Sequence, residues 1–187
     1  MTALTIAAWI EQYLAYLRYQ RNASPHTLRS YASDLHQFHH YLTHTPGGEP
    51  RPEPELGQVD NLTIREFLGV LYQRRNRKSS AARKLAALRS FMKYLAGQGV
   101  IPTNPAKDVA SPKQEKRLPE HLTVDSMTEL LEAPRARSEL DIRDQAILEL
   151  FYATGVRVSE LVGLDRDDLD IEGGFVRVLG KGRKERI

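Results

Sequence analysis

Two short stretches in the last third of the chain place cations where an anion can be gripped. In Ala153-Thr154-Gly155-Val156-Arg157-Val158-Ser159-Glu160-Leu161 an arginine stands at a turn, just where a helix is expected to begin. Its guanidinium fork and the free N–H groups of that helix would address the same anion. In Gly180-Lys181-Gly182-Arg183-Lys184-Glu185-Arg186 a lysine occupies the expected tip of a hairpin, between two glycines that let a ligand come close. Taken singly, both patterns are weak. An arginine at a helix start is more often a surface residue, and a charged hairpin tip is usually just solvated.

A third concentration of charge lies earlier in the chain. Arg65, Arg74, Arg75, Arg77, Lys78, Arg83, Lys84, Arg89 and Lys93 are opposed only by Glu66. A solvated helix face normally mixes both signs, so this imbalance favours contact with phosphates, each of which releases counterions and makes binding salt-dependent. Other candidates fall away. His36, His39, His40 and His44 share one helix, but no acidic or cysteine partner completes a metal set and the HExxH pattern is missing. The run Asp165, Asp167, Asp168, Asp170, Glu172 has Leu169 at position five of a would-be calcium loop, with the glycine and final glutamate out of register, and is better explained as solvated carboxylates at a helix start. Gly180-Lys181 is not a Walker phosphate loop, because Phe175 stands at the first glycine position and Gly182 replaces Ser/Thr.

The 187 residues contain 41% hydrophobic and 27% charged residues, enough to bury a core and unlike a disordered chain. Cysteine is absent, which excludes disulfides, Cys-based zinc sites and a thiol nucleophile and fits a reducing compartment. No apolar run approaches the roughly 20 residues a membrane span needs, and the first residues are too polar for a signal peptide, so a cytoplasmic location is expected. The net charge of +3 is unevenly spread. Residues 1–117 hold 17 Lys/Arg against 9 Asp/Glu, an excess of +8, whereas 118–187 hold 10 against 15, a balance of −5. The first part therefore suits a polyanion, and nucleic acid is the leading partner.

These residues need elements to position them. Ile6, Trp9, Ile10, Tyr13, Leu14 and Leu17 predict a helix over about 5–19. Ser24 as N-cap and Pro25 at the first helical position start a second, with Leu28, Tyr31, Leu35, Phe38 and Leu42 as its stripe. The segment 46–57 is expected to be an exposed connection without an element of its own. Asn61 or Thr63 would cap a third helix carrying Ile64, Phe67, Leu68 and Leu71. Ser79 or Ser80 would cap a fourth carrying Leu85, Leu88, Met92 and Leu95, which Gly97 and Gly99 stop. The expectation is a small all-α domain over 1–101, a Pro-rich linker over 102–121, and a different domain from 122. There, helices are expected after Thr123, over about 140–153 and over 158–163, followed by a strand 175–179 that turns at the Lys181 tip into a second strand cut off at Ile187.

The arginine and lysine blocks, in this order and spacing, resemble the tyrosine recombinase (phage integrase) family, Xer type. LELFYATGVRVSELVGLDRDDLDIEGGFVRVLGKGRKERI carries most of the likeness. RNASPHTLRSYASDLHQF is similar to the family's amino-terminal DNA-binding helices, and NPAKDVASPKQEKRLPEHLT to its interdomain linker. SPHTLRSY leans toward XerC-like over XerD-like members. The resemblance implies a mainly α chain: a four-helix SAM-like core-binding domain followed by the first part of a mixed α+β catalytic domain, incomplete at 187.

It also implies a chemistry. A tyrosine hydroxyl attacks the scissile phosphate, giving a 3′-phosphotyrosyl link and a free 5′-hydroxyl, and a second strand's 5′-hydroxyl reverses the step; no metal or nucleotide cofactor is needed. Arg157 matches the first catalytic arginine, which would clamp the non-bridging oxygens, and Lys181 the hairpin lysine, a general acid at the leaving oxygen. Glu160 is a weaker candidate for orienting nearby groups. Ser24, Thr27 and Tyr31 match positions near the DNA backbone; Arg29, Arg83, Lys84 and Arg89 are added as DNA contacts on charge and helix position alone. The expected partners are a double-stranded recombination site, gripped by both domains as a clamp, and a paired XerD-like recombinase in a tetrameric synapse resolving chromosome or plasmid dimers. The family's His-x-x-Arg block, further His or Trp, and nucleophilic tyrosine are not among these residues: all eight tyrosines fall at or before Tyr152. The chain as given is therefore expected to bind DNA without cleaving it. A non-catalytic DNA-binding protein and a phage or transposon integrase are the alternatives.

Overall fold

The computed structural model describes residues 4–113, 121–134, 138–180 and 185–187, and the chain divides into two compact units, residues 1–116 and 117–187. In the first unit four helices form where apolar spacing demands them: α1 (Ile6–Tyr19), α2 (Pro25–Thr43), α3 (Asn61–Gln73) and α4 (Lys78–Gly97). Their inward stripes meet in one core. Ile6, Ile10, Tyr13 and Leu17 of α1 pack with Leu35, Phe38 and Leu42 of α2, Ile64, Phe67 and Leu71 of α3, and Leu85, Leu88, Phe91, Met92 and Leu95 of α4. Phe91, which the expected α4 stripe omits, is fully buried with its ring centroid 5.4 Å from that of Tyr13. Trp9, Leu14, Leu28, Tyr31 and Leu68 cover the edges of this core as half-buried residues.

Helix ends follow cap chemistry, with two differences from expectation. Ser24 accepts the Thr27 N–H at 3.2 Å and Pro25 opens α2. For α3 the cap is Asp60, one residue before the expected Asn61; it accepts both the N–H and the hydroxyl of Thr63 at 2.8 Å. Those two donors hold its carboxyl below the ordinary range. For α4, neither Ser79 nor Ser80 is the cap, because both lie inside the first turn. The preceding turn decides this. Arg75 adopts a left-handed φ of 55°, its N–H bonds the Tyr72 carbonyl at 2.9 Å, and the Asn76 N–H bonds that of Leu71 at 3.0 Å. That double closure swings the chain straight into α4 at Lys78.

Neither connection is as loose as its composition predicts. Within 46–57 a 3-10 turn forms at Leu56–Gln58, and Arg51 donates from Nε to the Leu42 carbonyl at 2.7 Å, pinning the segment to the end of α2. The first part of the expected linker is a strap on the helical unit, with Ala106 and Val109 buried in its core beside Ile101. Arg89 fastens it, donating from Nε to the Ala106 carbonyl at 3.1 Å, from Nη1 to the Ser111 hydroxyl at 2.9 Å, and from Nη2 to the Val109 carbonyl.

The second unit contains α5 (Val124–Glu132), α6 (Glu139–Thr154) and α7 (Val158–Val162). Thr123 caps α5 as expected, and an unexpected Ser138–Asp141 capping box starts α6. The expected strand 175–179 is two strands. β1 (Leu169–Asp170) pairs antiparallel with β2 (Phe175–Val176), and β3 (Val178–Leu179) with β4 (Glu185–Arg186). Between them the Arg177 N–H donates to the Asp168 carbonyl at 2.9 Å. The acidic run does not open an α-helix: Asp165 and Asp168 cap a single 3-10 turn and Asp170 lies in β1. The core here is small, with Val156, Val176 and Val178 buried and Leu150, Phe151, Leu161 and Leu164 packed around them.

Candidate functional site: an arginine held by a buried carboxylate and a basic helical unit

Gly155 ends α6 in the left-handed region at φ 60°, with its N–H bonded to the Phe151 carbonyl at 2.9 Å. Buried Val156 anchors the turn, and Arg157 follows in extended conformation as the residue preceding α7. Glu160 then organises the site. Its carboxylate accepts the Arg157 backbone N–H at 2.8 Å through Oε2 and the Arg157 Nη1 at 2.8 Å through Oε1, and Arg186 of β4 donates to Oε2 at 2.5 Å. The Glu160 side chain is 4% exposed, against 68% for Arg157 and 45% for Arg186. One buried carboxylate thus holds one edge of each arginine and leaves the rest of both guanidinium groups in solvent.

α7 is short, with five residues, and the N–H of Arg157 that precedes it is spent on Glu160. The exposed part of the Arg157 guanidinium stands beside the start of this helix. Lys181 lies outside the described residues. The strands on either side of it are described: Leu179 pairs with Glu185, and Arg186 ties β4 to the carboxylate that orients Arg157.

The same contacts hold the Glu160 carboxyl down to about 2 from an ordinary 4.5, chiefly through the Arg157 backbone N–H, against the opposing effect of burial. A group whose folded-state value is depressed contributes stability above its unfolded value and loses it as pH falls toward the folded one. The β4–α7 tie should therefore be complete above pH 4.5 and released between there and about pH 2. The side-chain carboxyl resonance of Glu160, followed by NMR, should titrate near the lower end of that window; a midpoint near 4.5 would mean that the two arginines do not hold it.

In the first unit the seven basic residues Arg65, Arg74, Arg75, Arg77, Lys78, Arg83 and Lys93 of the run are exposed. At the start of α2, the Ser24 and Thr27 hydroxyls lie 2.9 Å apart, and Arg29 bonds His26 at 2.9 Å on the exposed face. Tyr31 is half-buried against the core. Two of the residues chosen on charge have internal work. Lys84 is buried, with Nζ 3.0 Å from Asp34 Oδ1, and the three bonds of Arg89 go to the strap. Arg83 bonds Asp34 from Nη1, yet its side chain remains 46% exposed. Among the histidines, His39 bonds Glu53 at 2.7 Å and His40 stacks on His44 at 3.9 Å. Among the described residues, no group of three or more His, Cys, Asp or Glu side chains is placed to hold a metal ion.

Glu160 is the residue that sequence reasoning undervalued. Its position three after Arg157 was the available signal, since that spacing lets a carboxylate reach back to the N-cap N–H.

An SAM-like helical unit followed by an Arg157-centred site defines a class. Residues 10–99 match the model of the phage integrase N-terminal SAM-like domain, and residues 120–187 that of the phage integrase family. The chain belongs to the phage integrase family, the tyrosine recombinases. It is 45% identical over 179 residues to a tyrosine recombinase XerC of Syntrophus aciditrophicus, covering 95% of this chain and 58% of that protein. A XerC of Myxococcus xanthus is 42% identical over 183 residues, 98% of this chain and 59% of that one. The chain thus spans a little under three fifths of these relatives' length. Among solved structures, a lambda integrase (75–356) dimer bound to a COC′ core site superposes with a TM-score of 0.74 at 20% identity, covering 98% of this chain and 61% of that one. The XerH site-specific recombinase bound to a palindromic difH substrate gives 0.69 at 23%, covering 98% and 53%. Both share the fold.

Proposed function

We propose that these residues are the DNA-binding part and the first catalytic groups of a XerC-like site-specific recombinase, which breaks and rejoins strands through a 3′-phosphotyrosyl intermediate to resolve chromosome or plasmid dimers. The observation that carries this reading is the Arg157–Glu160–Arg186 arrangement, an exposed guanidinium fixed from behind by a buried carboxylate. A phosphoryl transfer leaves the protein little to do beyond positioning and charge stabilisation. Arg157 would hold two non-bridging oxygens of the scissile phosphate as negative charge builds on them, and Lys181 would give its proton to the departing 5′ oxygen. Glu160 would keep the Arg157 fork aimed and limit the side-chain entropy lost on binding. Ser24, Thr27, Arg29, Tyr31 and Arg83 would meet the DNA backbone; Lys84 and Arg89 would act from inside the fold. The partners would be a recombination site in duplex DNA and a XerD-like recombinase in a tetramer, within the cytoplasm. Among the described residues no helix is long and apolar enough to cross a membrane.

The test uses the 187-residue chain. Its affinity for a duplex, measured by anisotropy across salt concentrations, should fall with a log–log slope of about −0.9 for each phosphate neutralised. On a nicked suicide substrate it should leave no covalent adduct on a denaturing gel, since the nucleophile is not among these residues. A flat salt response would remove the DNA interface, and an adduct would overturn the assignment of chemistry.

A further inference from the structure

The cluster joining α2 to α4 has an unequal charge count. Asp34, whose side chain is fully buried, is bonded by two cations: Arg83 through Nη1, and Lys84 through Nζ at 3.0 Å. The two cations differ in access. The Lys84 side chain is 10% exposed and that of Arg83 is 46% exposed; Arg83 also reaches the Ser30 carbonyl at 3.4 Å. A carboxylate paired with Arg83 alone would cancel the charge that Arg83 shows to a phosphate. With the Lys84 ammonium beneath, the cluster keeps a net charge of +1, and only the Arg83 guanidinium presents it to solvent.

We propose that Lys84 is a positioning residue for DNA binding: buried beneath the surface, it neutralises Asp34 so that Arg83, held by one edge, offers its full charge and its remaining N–H groups to a backbone phosphate. This rests on the DNA-binding reading above. Lys84 itself touches no DNA, and its contribution is electrostatic, acting at short range in a poorly screened interior. A structural ion pair alone makes a different prediction, because it ties duplex affinity to the integrity of the fold and not to the charge balance around Asp34.

The experiment measures the salt slope of duplex binding for the 187-residue chain and four variants, with a thermal melt of each confirming that it is folded at the assay temperature. Lys84→Met leaves Asp34 and Arg83 as a neutral pair, and should weaken binding roughly tenfold and lower the slope by about 0.9, the equivalent of one phosphate contact. Asp34→Asn combined with Lys84→Met removes both internal charges and should restore slope and affinity to near the parent values. Arg83→Gln should match Lys84→Met, and adding Arg83→Gln to the double variant should abolish the recovery. A folded Lys84→Met variant with the parent slope overturns the proposal, as does a folded double variant that fails to recover. Should Lys84→Met not fold, the double and triple variants decide it: a slope difference near 0.9 supports it and equal slopes overturn it. A parent chain that binds duplex without salt dependence would instead sink the DNA-binding reading, and this proposal with it.

Discussion

Replacing Asp34 with alanine should destabilise the helical unit by about 3–5 kcal/mol, because it strands the Lys84 ammonium in the interior without its carboxylate. Lys84 lies in α4 with its side chain 10% exposed, and Asp34 is its only partner at hydrogen-bond distance among the described contacts. For a unit of this size the loss corresponds to a fall in Tm of roughly 10–25 °C, readable by circular dichroism of the 187-residue chain. The penalty belongs to the unpaired charge and not to the missing bond. The same position changed to asparagine together with Lys84→Met, which leaves no buried charge, should melt much closer to the parent. Alanine at 34 with a melting temperature within a few degrees of the parent would show that the ammonium escapes to water.

Arg157→Ala should slow strand cleavage by about 10²–10³-fold in a chimera that joins these residues to the carboxy-terminal part of the Syntrophus relative, under single-turnover conditions. That is the usual consequence of deleting one preorganised donor aimed at charge developing in a transition state. Duplex affinity should change far less, since on the proposed reading many other cations share the contact with the backbone. Arg157→Lys should fall between the two: it keeps the charge and loses the fork that holds two oxygens at once. Glu160 sharpens the expectation, because a lysine at 157 cannot bond that carboxylate and grip two phosphate oxygens with the same planar geometry. Equal cleavage rates for the parent and the alanine variant would show that Arg157 does not face the scissile phosphate.

The four helices of the first unit were legible because each carries its evidence locally. Apolar residues recurring three and four apart in 6–17, 28–42, 64–71 and 85–95 became the buried stripes that meet in the core. Ser24-Pro25 and Thr123 mark helix starts for the same reason, since a cap and the N–H it binds are three residues apart. The cap of α3 fell one residue earlier than expected because Asp60, Asn61 and Thr63 all have capping chemistry, and only the backbone path selects among them. The 175–179 run looked like one strand because its composition is that of one; it divides because its two ends pair with different neighbours, 169–170 and 185–186.

Charge was the less legible property. On composition, Arg83, Lys84 and Arg89 are equivalent members of a basic run, yet the structure assigns them three environments: half-exposed, buried against Asp34, and fastened to the 106–111 strap. The partners of Lys84 and Arg83 lie about 50 residues away in α2, and the second arginine on Glu160 lies 26 residues on in β4. The amino-acid sequence by itself determined which segments are helical, where the basic charge concentrates, and that an arginine would stand at the turn before α7. Only the tertiary structure decided which cations face outward and which carboxylate holds Arg157. Periodicity and capping act within a turn or two of the chain, whereas an ion pair exists only after packing has brought distant residues together and taken them out of water.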